Sequence, residues 1–315
     1  MKQNMFLILL ISCASLMAHA QEPALQHRFL ALDFWKGKVY HVDQANPSHN
    51  WEMPWGGGVR DWQLVGQNRL LISSNDGYSV YDLGSRRKVE DLHNRAFNGV
   101  TTVRRRPDGT TWLGANQGTN ICVYVLDATN AISRKITIGG IRYLRMMRFT
   151  PENTALLTEW DGATEITLKP ETPDSQRILR RFKLPRGQKA YMTLKSSDGT
   201  YWLAGGYAHG LFQYKPDGTL IRTLEAAQPE GFSNYFYAGF QALKNGHFVQ
   251  ANWTGHGERD FKEGWKLIEF DSEGKVVWHW HMPREQAGSI NGVLVLDNLD
   301  TTALNDDTAG VLGNR

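Results

Sequence analysis

Pro107-Asp108-Gly109, then Thr111-Trp112-Leu113-Gly114, then Cys122-Val123-Tyr124-Val125: a tight turn, a short apolar strand and a second strand follow one another in this 315-residue chain. Comparable turns stand at Gln67-Asn68, Pro151-Glu152-Asn153, Ser197-Asp198-Gly199 and Lys244-Asn245-Gly246, so that the series advances by 41, 44, 46 and 47 residues. Asn, Asp and Gly accept the backbone angles that a tight turn imposes, and short apolar runs between such turns read as strands. A period of about 40–50 residues with several short strands in each unit is the mark of a β-propeller.

Each unit reads as a four-stranded meander, with strands a to d running from the central channel outward and the recurring turn joining a to b. Arg69-Leu70-Leu71-Ile72, Tyr201-Trp202-Leu203-Ala204 and His247-Phe248-Val249-Gln250 are b strands; Tyr78-Ser79-Val80-Tyr81 and Leu211-Phe212-Gln213-Tyr214 are c strands. Five complete blades fit between Val59 and Pro283. A sixth is assembled from the two ends. Phe29-Leu30-Ala31-Leu32, Lys38-Val39-Tyr40-His41-Val42 and Asn50-Trp51-Glu52-Met53 match strands b, c and d, and Gly292-Val293-Leu294-Val295-Leu296 matches the missing a. Pairing one C-terminal strand with three N-terminal ones closes the ring and removes open sheet edges. The fold expected is therefore all-β, a six-bladed propeller in one domain over residues 21–315, with the polar tail 301–315 lying as coil across the surface.

Residues 1–20 carry one Lys, an apolar run from Met5 to Ile11 and Ala18-His19-Ala20 before Gln21. That order of charge, apolar segment and small-x-small site reads as a secretory signal peptide cleaved after Ala20. An alternative takes Leu10-Ile11-Ser12-Cys13 as a lipoprotein box that lipidates Cys13. Either reading places the protein in the periplasm or outside the cell. Without the leader only Cys122 remains, in an apolar strand, so no internal disulfide forms. The formal net charge of +3 comes from Lys and Arg interspersed with Asp and Glu, which points away from nucleic acid. No later stretch is apolar for long enough to span a bilayer. A monomer is expected.

In a meander the b-to-c and d-to-a connections share one face, and the polar and aromatic residues of this chain concentrate there. They converge on the mouth of the channel, where a small-molecule site of apolar walls and a few directed polar groups is expected. The segment from Asn252 to Asp260 stands out: glycines flank His256, which lets the backbone approach a ligand, and Arg259 and Asp260 offer groups for a carboxylate or hydroxyls. His209 has a similar glycine-flanked setting. His256, His209 and Asp161 are the candidate acid/base residues. Trp253, Trp160, Tyr207, Trp35 and Tyr191 offer aromatic faces; Arg60, Asp61, Asp76, Arg142, Arg259, Asp260 and Asn291 offer polar contacts. No metal-ligand spacing, nucleophile elbow or phosphate loop occurs.

At Leu267-Ile268-Glu269-Phe270-Asp271-Ser272-Glu273-Gly274-Lys275-Val276-Val277-Trp278 the chain resembles the repeat of secreted bacterial propellers grouped as PQQ-like or arylsulfotransferase-like. Phe212-Gln213-Tyr214-Lys215-Pro216-Asp217-Gly218 is a weaker copy. The resemblance implies an exported propeller and leaves its activity open, because one fold hosts many functions. Quinoprotein dehydrogenases of that group are longer, eight-bladed and carry a vicinal disulfide, which a chain with Cys122 alone lacks. The motif around the arylsulfotransferase histidine does not match His256 or His209. PQQ or a metal thus stays open as a cofactor. The functional expectation is a small polar ligand, a carbohydrate or glycoside, bound or turned over by a hydrolase or lyase; the alternatives are a protein-interaction scaffold or an arylsulfotransferase-like or PQQ-dependent enzyme.

Overall fold

The computed structural model describes residues 24–56, 58, 60–185, 189–228, 233–257 and 259–314. Residues 1–20, read as a leader with Cys13 and Ala20, lie outside them. Six four-stranded antiparallel sheets form the blades of a β-propeller. Blade 1 comprises Trp62–Leu64, Arg69–Ser74, Gly77–Asp82 and Arg87–His93; blade 2, Val100–Arg105, Thr111–Gln117, Asn120–Leu126 and Ile132–Gly139. Blade 3 comprises Met146–Phe149, Thr154–Glu159, Gly162–Thr167 and Ile178–Lys183; blade 4, Thr193–Lys195, Tyr201–Ala204, Leu211–Tyr214 and Leu220–Leu224. Blade 5 comprises Tyr237–Ala242, Phe248–Asn252, Trp265–Phe270 and Val276–His281. Among the described residues no helix is long and apolar enough to cross a membrane.

Blade 6 joins the chain ends. Ile290–Val295 is its inner strand and Arg28–Asp33, Lys38–Asp43 and Trp51–Pro54 follow outward. Across the closure Phe29 faces Val295, Leu30 faces Leu294, Ala31 faces Val293 and Leu32 faces Gly292. The period-2 alternation of a strand sends these four apolar side chains to both neighbours. Phe29 and Ala31 join the core shared with blade 5, where Phe29 meets Trp278 at 5.6 Å and Trp280 at 5.3 Å between ring centroids. Leu30 and Leu32 join Trp62, Leu64 and Ile72 of blade 1. Cys122 is buried in blade 2, as a small apolar residue would be.

At the edge of the closure His27 is clamped between two carboxylates, Nδ1 at 2.5 Å from Asp297 and Nε2 at 2.6 Å from the buried Glu269. His247 takes the other Glu269 oxygen at 2.7 Å. Burial works against a charge on the His27 ring, but hydrogen bonds and charges from Asp297 and Glu269 reverse this and lift its pKa to about 9.

The tail does not lie across the surface as coil. Residues Asn305–Asp306 and Gly313–Asn314 pair as a small hairpin, Leu304 bridges to Val65, and Thr302 O accepts from the Gln67 amide at 2.8 Å. This places Asp307 beneath the channel. Arg148 Nε lies 2.7 Å from Asp307, Arg104 Nη2 lies 3.7 Å from the same oxygen, and both arginines reach Asp61 at 3.1 and 3.2 Å. Two buried cations, the buried Asp61 and the largely buried Asp307 thus close the floor, leaving a void of about 30 Å³, room for about one water. The tail's polar composition has a local reason: its carboxylate is the counter-charge that the floor requires. Burial alone would raise the Asp307 carboxyl, but Arg148 and Arg104 hold it below the ordinary carboxylate range.

Asp307→Ala leaves the two arginines short of one anion and is expected to cost about 3 kcal/mol in urea unfolding; a loss under about 0.5 kcal/mol, the range of surface substitutions, contradicts the floor assignment. For His27 the folded pKa exceeds the unfolded one, so its contribution is complete below pH 6.5 and fades as pH rises through about 9. The stability gap between the protein and its His27→Gln variant should therefore close over that interval in denaturant titrations at fixed pH; a gap that is constant with pH contradicts the clamp.

Candidate functional site

Above the floor the channel opens into a funnel of about 370 Å³ on the face of the b-to-c and d-to-a connections. Five blades supply its walls. Tyr143 and Arg145 precede the inner strand of blade 3, Lys189 and Tyr191 that of blade 4, and Phe236 that of blade 5; Asn291 lies in that of blade 6, and Arg60 precedes that of blade 1. The b-to-c connections add Trp160, Tyr207, Trp253 with His256, and Phe34 with Trp35.

Backbone geometry aims several of these groups. Tyr143 and Lys189 occupy the left-handed region at φ 58° and 60°, two residues before Arg145 and Tyr191 respectively. An ordinary side chain there costs on the order of 1–3 kcal/mol and persists only where the surroundings fix it. Gly206 has φ 56° and a Cβ there would sit 2.2 Å from the Lys189 carbonyl, so only glycine lets the blade 4 loop close on Lys189. The blade 5 loop is pinned from below. Lys266, fully buried, donates to Thr254 Oγ1 at 2.9 Å and to the Gly288 and Lys262 carbonyls at 3.2 Å. Asp33 accepts from the amides of Gly288, Ser289, Trp35 and Lys36 and so ties two further loops to the same base. Asn252 is also buried, its amide donating to the Ser233 and Trp265 carbonyls and its oxygen accepting from the Tyr235 amide. In this position it braces the segment that carries Phe236.

The electrostatics of the funnel are one-sided. Arg145 is 8% exposed, and its guanidinium lies 5.0 Å from the Trp160 ring centroid, 5.7 Å from Tyr143 and 5.8 Å from Tyr191. Among the described residues no carboxylate pairs with it, and its buried Nε has no hydrogen-bond partner. Arg60 donates to the Tyr143 hydroxyl at 3.1 Å, and Lys189 Nζ lies 4.9 Å from Tyr207 and 5.3 Å from Trp160. Burial, with the repulsion of Arg60, lowers the Arg145 pKa to about 10, which leaves it charged at neutral pH. Among the described residues no Asp or Glu lines the cavity, so three cations share an aromatic cage without an internal anion. At the rim, His256 rests edge-on against Trp253 at 4.3 Å, with Nδ1 3.4 Å from Asp260, which also accepts its backbone amide at 3.1 Å.

Of the residues singled out from sequence, Trp35, Arg60, Trp160, Tyr191, Tyr207, Trp253, His256 and Asn291 line this cavity. Asp260 stands behind His256. Asp61 is not a lining residue: it is fully buried in the floor, where it also accepts from Thr102 Oγ1 and the Val103 amide. Arg142, exposed, and Asp161, half-buried, are not among the cavity's lining residues and lie 3.9 Å apart, with the Arg142 guanidinium 5.5 Å from the Trp160 ring centroid. Asp76 pairs with His93 at 2.7 Å on the outer edge of blade 1. His209, at φ 52° in its glycine-rich turn, and the exposed Arg259 do not reach the lining. His209, His256 and Asp161 are thus not assembled as a triad, and among the described residues no three His, Cys, Asp or Glu side chains converge as metal ligands would. Sequence reasoning missed Arg145 altogether, and it placed Phe34, Tyr143, Lys189 and Phe236 on this face without choosing them as contacts. Arg145 carried a signal, since it stands between apolar Leu144 and Met146, directly before the innermost strand Met146–Phe149.

No family model matches the chain, and no curated protein matches it by sequence. Solved structures do match by fold. A protein of unknown function from Bacteroides caccae superposes with a TM-score of 0.68 at 23% identity, over 85% of this chain and 97% of that one. Virginiamycin B lyase from Staphylococcus aureus, in a catalytically inactive form with quinupristin, matches with a TM-score of 0.54 at 13% identity, over 85% and 90%. A streptogramin B lyase matches with a TM-score of 0.54 at 12% identity, over 82% and 83%. At these identities the likeness establishes the β-propeller fold.

A buried cation with no counter-ion is a cost to the empty protein. Arg145→Met, which keeps the bulk and removes the charge, is expected to raise the thermal midpoint by about 2–4 °C. A midpoint lowered by a similar amount in calorimetry assigns Arg145 to the scaffold.

Proposed function

We propose that the funnel binds a small anion with a ring-shaped body, an acidic sugar or its glycoside, and acts on it as a lyase. The observation that carries this reading is the buried, unpaired guanidinium of Arg145, joined by Arg60 and Lys189 in a cavity without carboxylates among its described lining residues. Arginine presents a planar fork of donors that matches a carboxylate or sulfate, and a desolvated cation attracts an anion far more strongly than one in water. Trp160, Trp253 and Tyr207 supply faces for a sugar ring.

The same charges favour elimination over hydrolysis. Glycoside hydrolysis relies on a pair of carboxyl groups about the bond to be cut, and no described residue brings one to the funnel wall. Elimination beside a carboxylate needs cations on that carboxylate, because removing the adjacent proton pushes charge onto its oxygens. In this chemistry His256, oriented by Asp260, takes the proton from the carbon next to the carboxylate. The electron pair left behind forms a carbon–carbon double bond with the next ring carbon, and the bond from that carbon to the oxygen joining it to the preceding sugar unit breaks, that oxygen taking a proton from solvent. The structural likeness to streptogramin lyases is compatible with this chemistry on a propeller. The export signal read in residues 1–20 would deliver the site to extracytoplasmic glycans. A funnel open above a sealed floor also suits a small ligand better than a flat, apolar protein-docking surface.

Titration calorimetry with galacturonate and glucuronate against galactose and glucose tests the binding step. The acids should bind, the neutral sugars should bind at least tenfold more weakly, and Arg145→Met should abolish the difference. Equal binding of acid and neutral forms, or binding of neither, overturns the reading. His256→Ala should keep the affinity for an acidic glycoside and lose the ultraviolet absorbance of an unsaturated product; retained product formation removes His256 from the mechanism.

A further inference from the structure

A second and larger concavity, about 780 Å³, runs down the side of the ring between blades 5 and 6. Trp35 lines both this groove and the funnel, and so stands on the ridge between them, 47% exposed. The blade 5 loop repeats the arrangement one residue at a time, with His256 in the funnel and Gly257 in the groove. The two spaces therefore meet at a ridge made of an aromatic face and the rim histidine.

The groove differs from the funnel in charge. Lys36 and Lys38 are matched by Glu52 and Glu285; Lys38 Nζ lies 2.6 Å from Glu52, and Lys36 donates to the Glu285 carbonyl at 2.7 Å. Its aromatic surface is ready-made, since His41 and Trp51 stack at 5.0 Å with 8° between their planes, on adjacent outer strands of blade 6. Flat apolar faces set among paired polar groups suit hydroxyl-bearing rings, whereas the unbalanced charge of the funnel selects an anion.

We infer that the ligand is an oligosaccharide chain, seated with one acidic unit in the funnel, crossing Trp35 beside His256 and laying its further units along the His41–Trp51 groove. The inference rests on the reading of the funnel as an acidic-sugar site. It adds that recognition extends over several units and that the scissile linkage lies at the ridge, under His256. A single compact anion would use the funnel alone and gain nothing from the groove.

The test measures affinity by calorimetry for galacturonate and glucuronate oligomers of one to four units, with the protein and with Trp51→Ala, which removes the stacked ring of the groove and leaves the funnel lining intact. Affinity should rise at least tenfold from one unit to four, and Trp51→Ala should reduce that ratio several-fold. Should Trp51→Ala fail to fold, Lys38→Ala on the exposed lip of the groove serves the same comparison. Monomers that bind with no gain from added units, or a gain that neither variant changes, overturn the extended site while leaving the funnel reading intact. If no acid binds at any length, the funnel reading falls, and this inference with it.

Discussion

The constraint on which the molecule depends is the antiparallel seam between Arg28–Asp33 and Ile290–Val295. A propeller is a set of sheets that each bury both faces against neighbours, so an unclosed ring would leave two apolar faces in water at the cost of their burial. The seam prevents this by alternation: Phe29 and Ala31 pack toward blade 5 while Leu30 and Leu32 pack toward blade 1. A slip of one residue would exchange the two sets and misfit both cores. Closure also decides where chemistry can occur. Phe34 and Trp35 from one end of the chain reach the same cavity as Asn291 from the other because their strands are neighbours.

Along the channel two groups of arginines receive opposite treatment. Arg104 and Arg148 are neutralised by Asp61 and Asp307, and the tail has to fold back under the ring to supply the second of these anions. Arg145, on the same inner strand region as Arg148, has aromatic neighbours and no anion among the described residues. The floor is thus complete as it stands, whereas the funnel is electrostatically incomplete. A fold alone has no need of a desolvated cation in an open cavity, and such a local cost is of the kind that binding sites carry.

The blade pattern was legible from sequence because the turns repeat and each strand is short and apolar; even the division of blade 6 between the two ends could be read from Phe29-Leu30-Ala31-Leu32 and Gly292-Val293-Leu294-Val295. The face of the site was legible too, since meander topology alone sorts the connections. What was not legible was the depth of each side chain. Arg142 and Arg145 are three residues apart, yet one is exposed and the other is buried in the cage, a difference set by where the backbone passes from the left-handed turn at Tyr143 into the inner strand. Asp61 looked like a binding residue because it stands next to Arg60; one position along the chain separates funnel from floor. The tail's polarity reads as a sign of solvent from sequence alone, whereas Asp307 is polar to meet two buried arginines.

The reading of the funnel stands or falls on Arg145 as a positive site open to an anion. Anomalous diffraction from crystals soaked in selenate, a small oxyanion with a strong selenium signal, tests it without assuming any ligand. A selenium peak is expected within hydrogen-bond distance of the Arg145 guanidinium and flanked by Arg60. An empty funnel with selenate bound only at surface lysines and arginines would contradict it.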